Sequence, residues 1–285
     1  MTLQQPVSFA IEAPSGSSGT VKFDAVELNK FGRASPLRQG AIEALLRRRC
    51  RVPDAWRYLV EVRQGRVKLK PASEGRGQRL RLSAYPDVSA RRRNQMLPVI
   101  VLLLESPHKD EYRHHSRRNR LVPNGPAQAT GTGDAGGAIP AYGPAILEQL
   151  VALKGLADDD YALLIVNPVP YLTSLHWLDV LTGEATHPPR SINRIVRNHV
   201  WNQLWELPWM QADFLARLAS YVPCAVLNCC TLKLTKAVTC ALCRGGYGPA
   251  SAYATHPAVT WQTRKPGSRH PPVEVQHLSC EICTS

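Results

Sequence analysis

Residues 97–104 read Leu-Pro-Val-Ile-Val-Leu-Leu-Leu, an unbroken apolar run that stops at once against Glu105, Ser106, Pro107, His108, Lys109, Asp110 and Glu111. A run of that length without polar alternation reads as a strand covered on both faces, the pattern of a parallel sheet. Parallel strands need helical crossovers, so the chain around this run is constrained to an α/β arrangement. The carboxyl edge of such a sheet is where ligands bind, and the charged loop begins at that edge.

The remaining sequence fits the constraint. Further strands are expected at 161–166, 225–227 and 252–255, each ending in polar residues and proline or cysteine. Helices are expected from Tyr142 with Pro144 in the first turn, from Ser191 until Pro208, and over 232–243. Residues 123–140, rich in Gly, Ala and Pro, are expected to be irregular. The sum is a three-layer α/β/α sandwich around a mostly parallel central sheet.

Ahead of it, 57–70 alternates around Gln64-Gly65 as a hairpin. Strands at 7–11, 20–28 and 79–82 and a helix over 35–49 complete a small basic α+β module over 1–95, leaving 96–285 as the main domain with a C-terminal tail. The formal charge of the 285 residues is +13. Residues 1–95 hold 19 Lys and Arg against 8 Asp and Glu, a net +11, which leaves 16 against 14 for the rest. A one-sided basic excess favours a polyanion such as nucleic acid through counterion release. The triplet Arg91, Arg92 and Arg93 lies just before the first core strand; Arg47 to Arg49 suit either a helix dipole or phosphate. No apolar run is long enough to span a bilayer, and Met1 to Ala10 do not resemble a secretory signal, so a cytoplasmic monomer without membrane contact is expected.

Three strand ends deliver Glu105, Asn167 and His256 to one rim. An amide both donates and accepts, and an imidazole can support a developing oxyanion, so the set suits a polar heterocycle. In order and context these residues resemble the uracil-DNA glycosylase superfamily. Leu104-Glu105-Ser106-Pro107-His108 stands where that family carries Gly-Gln-Asp-Pro-Tyr-His or Gly-Glu-x-Pro-Gly. A proline-opened helix with Leu147 and Leu150 follows, then a strand ending in Asn167, then Thr255-His256-Pro257-Ala258 in place of His-Pro-Ser. The resemblance covers about 97–261.

It implies that Asn167 reads an everted pyrimidine, that His256 stabilises the negative charge on the leaving base, and that Glu105, with Asp110 and Glu111 behind it, contacts the base or activates water. It also implies a duplex-inserting loop after His256, here with Trp261 as wedge and Arg264, Lys265 and Arg269 on phosphates. Three positions depart from the family: Ser106 replaces the usual water-activating Asp or Asn, His108 replaces Tyr or Gly, and residues 136–142 are small except for Ile139 and Tyr142. A wider pocket follows, suited to a modified or bulky base, in DNA repair or defence against phage. A nucleic-acid-binding protein that keeps the pocket without turnover is the alternative, and a hydrolase of free nucleosides or nucleotides a third.

Eight cysteines without an export signal read as thiols or metal ligands. Cys240 with Cys243 and Cys280 with Cys283 are two C-x-x-C pairs, enough for one structural zinc, which catalysis would not need; helix packing is the other reading of the first pair. Cys229 and Cys230 are expected in the core.

Overall fold

The computed structural model describes residues 7–12, 18–23, 52, 54–71, 97–107, 112–115, 120–123, 134–171, 173, 190–257, 261 and 273–279. Strands β1 (Val7–Glu12) and β2 (Ser18–Phe23) form an antiparallel ribbon. Strands β3 (Ala55–Arg63) and β4 (Arg66–Pro71) form the expected hairpin. Gln64 and Gly65 turn it with φ of 51° and 70°, the left-handed pair that a two-residue turn between twisted strands requires. After β5 (Val99–Leu103) come a second ribbon, β6 (Tyr112–His115) with β7 (Arg120–Pro123), and helix α1 (Asp134–Lys154). The chain continues through β8 (Asp160–Val166), α2 (Arg190–Trp205), α3 (Pro208–Tyr221), β9 (Pro223–Asn228), α4 (Leu232–Arg244), β10 (Ser251–Tyr253) and β11 (Gln276–His277).

One seven-stranded sheet has the order β11-β10-β9-β5-β8-β3-β4. Its four middle strands, β10, β9, β5 and β8, are parallel, and the flanking strands are antiparallel to their neighbours. Successive side chains of β5 explain why no polar residue interrupts it. Val99, Val101 and Leu103 pack with α2, α3 and α4 through Trp201, Trp205, Phe214, Leu234 and Val238. Ile100 and Leu102 pack on the other face with α1 through Ile146, Leu147 and Leu150. The class is therefore α/β, with helices on both faces. Trp201 and Trp205 stack at 5.0 Å inside the first cluster, as core residues.

Two expectations are corrected and a third is extended. The charge step near residue 95 does not mark a structural boundary, because β3 pairs with β8 and so places 55–71 in the main sheet. Val60, Val62 and Val67 face the core, while Arg63, Arg66 and Lys70 pair with Asp160, Glu148 and Glu61 at the surface. Helix α1 begins at Asp134, eight residues earlier than Tyr142, and contains both Pro140 and Pro144. The prolines lie four apart on one side, and Pro140 is exposed, so its unserved carbonyl sits in an exposed turn. Pro208 ends α2 but also opens α3 at its first position, where a missing N–H costs nothing. The expected helix at 35–49 and strand at 79–82 lie outside the described residues.

Gly143 marks where α1 approaches β4 and the Trp261 ring. A Cβ there would stand 3.0 Å from Leu69 Cδ1 and 3.9 Å from Trp261 Cζ3. Gly143→Val is expected to cost about 1–3 kcal/mol by overpacking, read as a lowered thermal midpoint.

Candidate active site at the carboxyl edge of the sheet

Register decides which residues reach the edge. Leu103 lies opposite both Val166 and Asn228, and Tyr253 lies opposite Asn228. The ladders run one step further: Leu104 N–H donates to Val166 O at 3.0 Å, Cys229 N–H to Leu103 O at 3.1 Å, and Ala254 N–H to Asn228 O at 3.1 Å. Glu105, Asn167, Thr231 and His256 thus follow the ends of four adjacent parallel strands. After β5 the chain leads into α1 on one face, and after β9 into α4 on the other, the divergence that opens a crevice in α/β sheets.

Glu105 sits at that edge, on the α2 and α4 side. Its side chain is 6% exposed; Arg197 Nη1 pairs with Oε1 at 2.5 Å, and the Thr231 N–H donates to Oε2 at 3.0 Å. The Trp201 indole N–H donates to its carbonyl at 2.7 Å. Thr231 is the N-cap of α4 and makes no side-chain capping bond. Glu105 therefore supplies the negative charge that the amino end of α4 favours. With both carboxylate oxygens engaged, it ties β5, α2 and α4 together. Both oxygens of the carboxylate expected to act as general base thus hold partners within the fold.

Asn167 differs. It is 1% exposed, and its Oδ1 is buried with no hydrogen-bond partner among the described residues. An unmet buried acceptor costs about 1–3 kcal/mol, which a ligand N–H would offset. The backbone behind it is held tightly. Arg217 Nη2 donates to Asn167 O at 3.1 Å and Pro168 O at 3.2 Å, and Val52 N–H donates to Pro170 O at 2.8 Å. Pro168 and Pro170 have no N–H with which to close a local turn, so the segment is satisfied by donors from elsewhere.

Arg217 is itself fixed by Asp54 at 2.5 Å and Asp213 at 2.9 Å, and lies 5.9 Å from the Phe214 ring centre. Tyr221 O–H also donates to Asp54 Oδ2, at 2.8 Å. Burial works against the Arg217 charge, but Asp54 and Asp213 outweigh it and hold its pKa above the ordinary value.

Ser106, half-buried, shares a 2.8 Å hydroxyl hydrogen bond with the buried Thr173, joining the turn after β5 to the segment after β8. His256 is half-buried at the end of β10. Trp261 is not a wedge. It is 1% exposed, packs in the core cluster beneath α1, and donates its indole N–H to Thr255 O at 2.9 Å. A ring buried there anchors the segment that carries His256. Tyr142, half-buried on α1, packs against the same cluster. His108, Asp110, Arg91, Arg92, Arg93, Arg264, Lys265 and Arg269 lie outside the described residues.

Cys229 and Cys230 are buried as expected, and burial pushes both thiols well up. Cys243 departs from the expectation of thiols or metal ligands: it is disulfide-bonded, while Cys240 is free. A disulfide sulfur is not a thiolate ligand, so in this state Cys240 is the one free thiol of the pair. Cys280 and Cys283 lie outside the described residues, among which no three metal-ligating side chains stand together. No described helix is long and apolar enough to cross a membrane.

Arg197, Arg217, Asp54 and Thr173 were not visible as site residues in the sequence. Asp213 and Arg217 do stand at i and i+4, an ion-pair spacing, but that spacing does not say which way the pair faces. Comparison with protein-family models, with curated proteins and with solved structures finds no match for this chain.

Proposed function

We propose that the chain is a DNA glycosylase of the uracil-DNA glycosylase kind, with a three-layer α/β/α fold, that everts a modified or bulky pyrimidine and hydrolyses its N-glycosidic bond. The observation that carries this reading is the Asn167 Oδ1, buried at the edge beside the ends of the parallel strands with no partner among the described residues. In the reaction, water oxygen bonds to the sugar C1′, the electron pair of the C–N bond leaves with the base, and the water proton ends on the base. Asn167 accepts a ring N–H of the everted base, and His256 supports the charge growing on it. With Glu105 engaged by Arg197 and Thr231, removal of the water proton falls to Asp110.

The test is base release from duplexes carrying uracil, a thymine mismatch, 5-hydroxymethylcytosine or its glucosylated form, scored as alkali-labile sites. Release from one class is expected. Asn167→Ala and His256→Ala are each expected to slow it roughly 100-fold or more. The second reading, a binding protein that keeps the pocket without turnover, is favoured by the engagement of Glu105 and the hydroxyl at Ser106. Silence across the panel with salt-sensitive duplex binding intact would select it.

A further inference from the structure

We infer that Arg217, held by Asp54, is the positioning residue that fixes the Asn167 amide for base recognition; this deepens the proposed function and rests on Asn167 as the reader. Three carbonyls of the 167–170 segment accept hydrogen bonds from outside it: Asn167 O and Pro168 O from one Arg217 nitrogen, and Pro170 O from Val52 N–H. The two prolines fix φ and remove the donors by which the segment could brace itself. Arg217 therefore sets where the Asn167 Cα and side chain stand.

Its geometry is specific to a guanidinium. One planar fork donates through Nη1 to Asp54 Oδ2, through Nε to Asp213 Oδ2, and through Nη2 to the two carbonyls. A lysine has the charge but not three nitrogens in a fixed plane, so it cannot reach all four acceptors at once. Asp54 lies just before β3, far from Asn167 in sequence, and its side chain is 1% exposed. A recognition residue whose backbone is preorganised in this way binds without ordering cost, and small displacements of it are costly to catalysis.

The experiment compares the full chain with Arg217→Lys, Arg217→Met and Asp54→Asn. Nitrogen-15 spectra follow the Asn167 side-chain amide, assigned by its loss in Asn167→Ala, and base release is measured on the same panel. Arg217→Lys and Asp54→Asn are expected to shift or broaden the Asn167 amide signal while most other side-chain amides stay in place. Base release should fall roughly 10- to 100-fold in kcat with duplex affinity within about twofold. An unmoved Asn167 signal in any of the three folded variants, or equal disturbance of all amides, would overturn the inference. Wild-type silence in base release would sink the glycosylase reading alone, since the amide signal still decides the positioning role.

Discussion

Replacing Glu105 by alanine is expected to destabilise the protein by about 3–5 kcal/mol, because it leaves the Arg197 guanidinium beside the core without its partner and the Thr231 N–H without an acceptor. The lower half of that range is the better guide, since a fifth of the Arg197 side chain meets solvent. Urea unfolding at constant m-value would read the loss directly. A second substitution sharpens the result. Arg197→Met in the Glu105→Ala background removes the uncompensated charge, so the double variant is expected to be more stable than Glu105→Ala alone. Glu105→Gln separates structure from chemistry. A general base would lose turnover and the acidic limb of its pH profile with little change in stability; we expect lowered stability with the pH profile retained.

The second large effect concerns the fragment 96–285, cut where the charge changes. It is expected to be insoluble or to unfold without a cooperative transition. The cut removes β3 and so leaves β8 with an unpaired edge, and it takes Tyr58, Val60, Val62 and Val67 out of the core. Burial of each such side chain contributes roughly 1.5–3 kcal/mol, so four of them rival the whole stability margin of about 5–15 kcal/mol. Asp54 is lost as well, leaving Arg217 one buried partner fewer. A fragment that melted cooperatively near the full chain would restore the two-unit division.

The parallel core was legible because burial on both faces writes itself as uninterrupted apolar residues, and in β5, β8 and β9 that pattern is long enough to read. Strand ends were legible too, since prolines after Asn167 and His256 forbid further pairing. Period and punctuation do not report which way a side chain turns once the strand has ended. Glu105 could have faced the crevice opening or its floor, and Arg197, contributed by a helix 92 residues later, settles the matter. Trp261 was misread for the same reason. The resemblance placed it on a duplex-inserting loop, yet its ring is buried in the core cluster beneath α1. The hairpin was visible but its neighbour was not, because charge describes a surface and says little about what lies beneath it.

The pairing of β3 with β8 also sets an order of events at synthesis. Arg63 contacts Asp160 across 97 residues, so the hairpin leaves the ribosome well before the strand it must join. At about 5–20 residues per second, that interval is roughly 5–20 s. Through it, Val60 and Val62 have no sheet to bury them, and the nascent chain carries an adhesive ribbon that chaperones or crowding would meet first. Substitutions that slow translation between residues 71 and 160 should therefore lower the soluble yield without touching the stability of the finished protein.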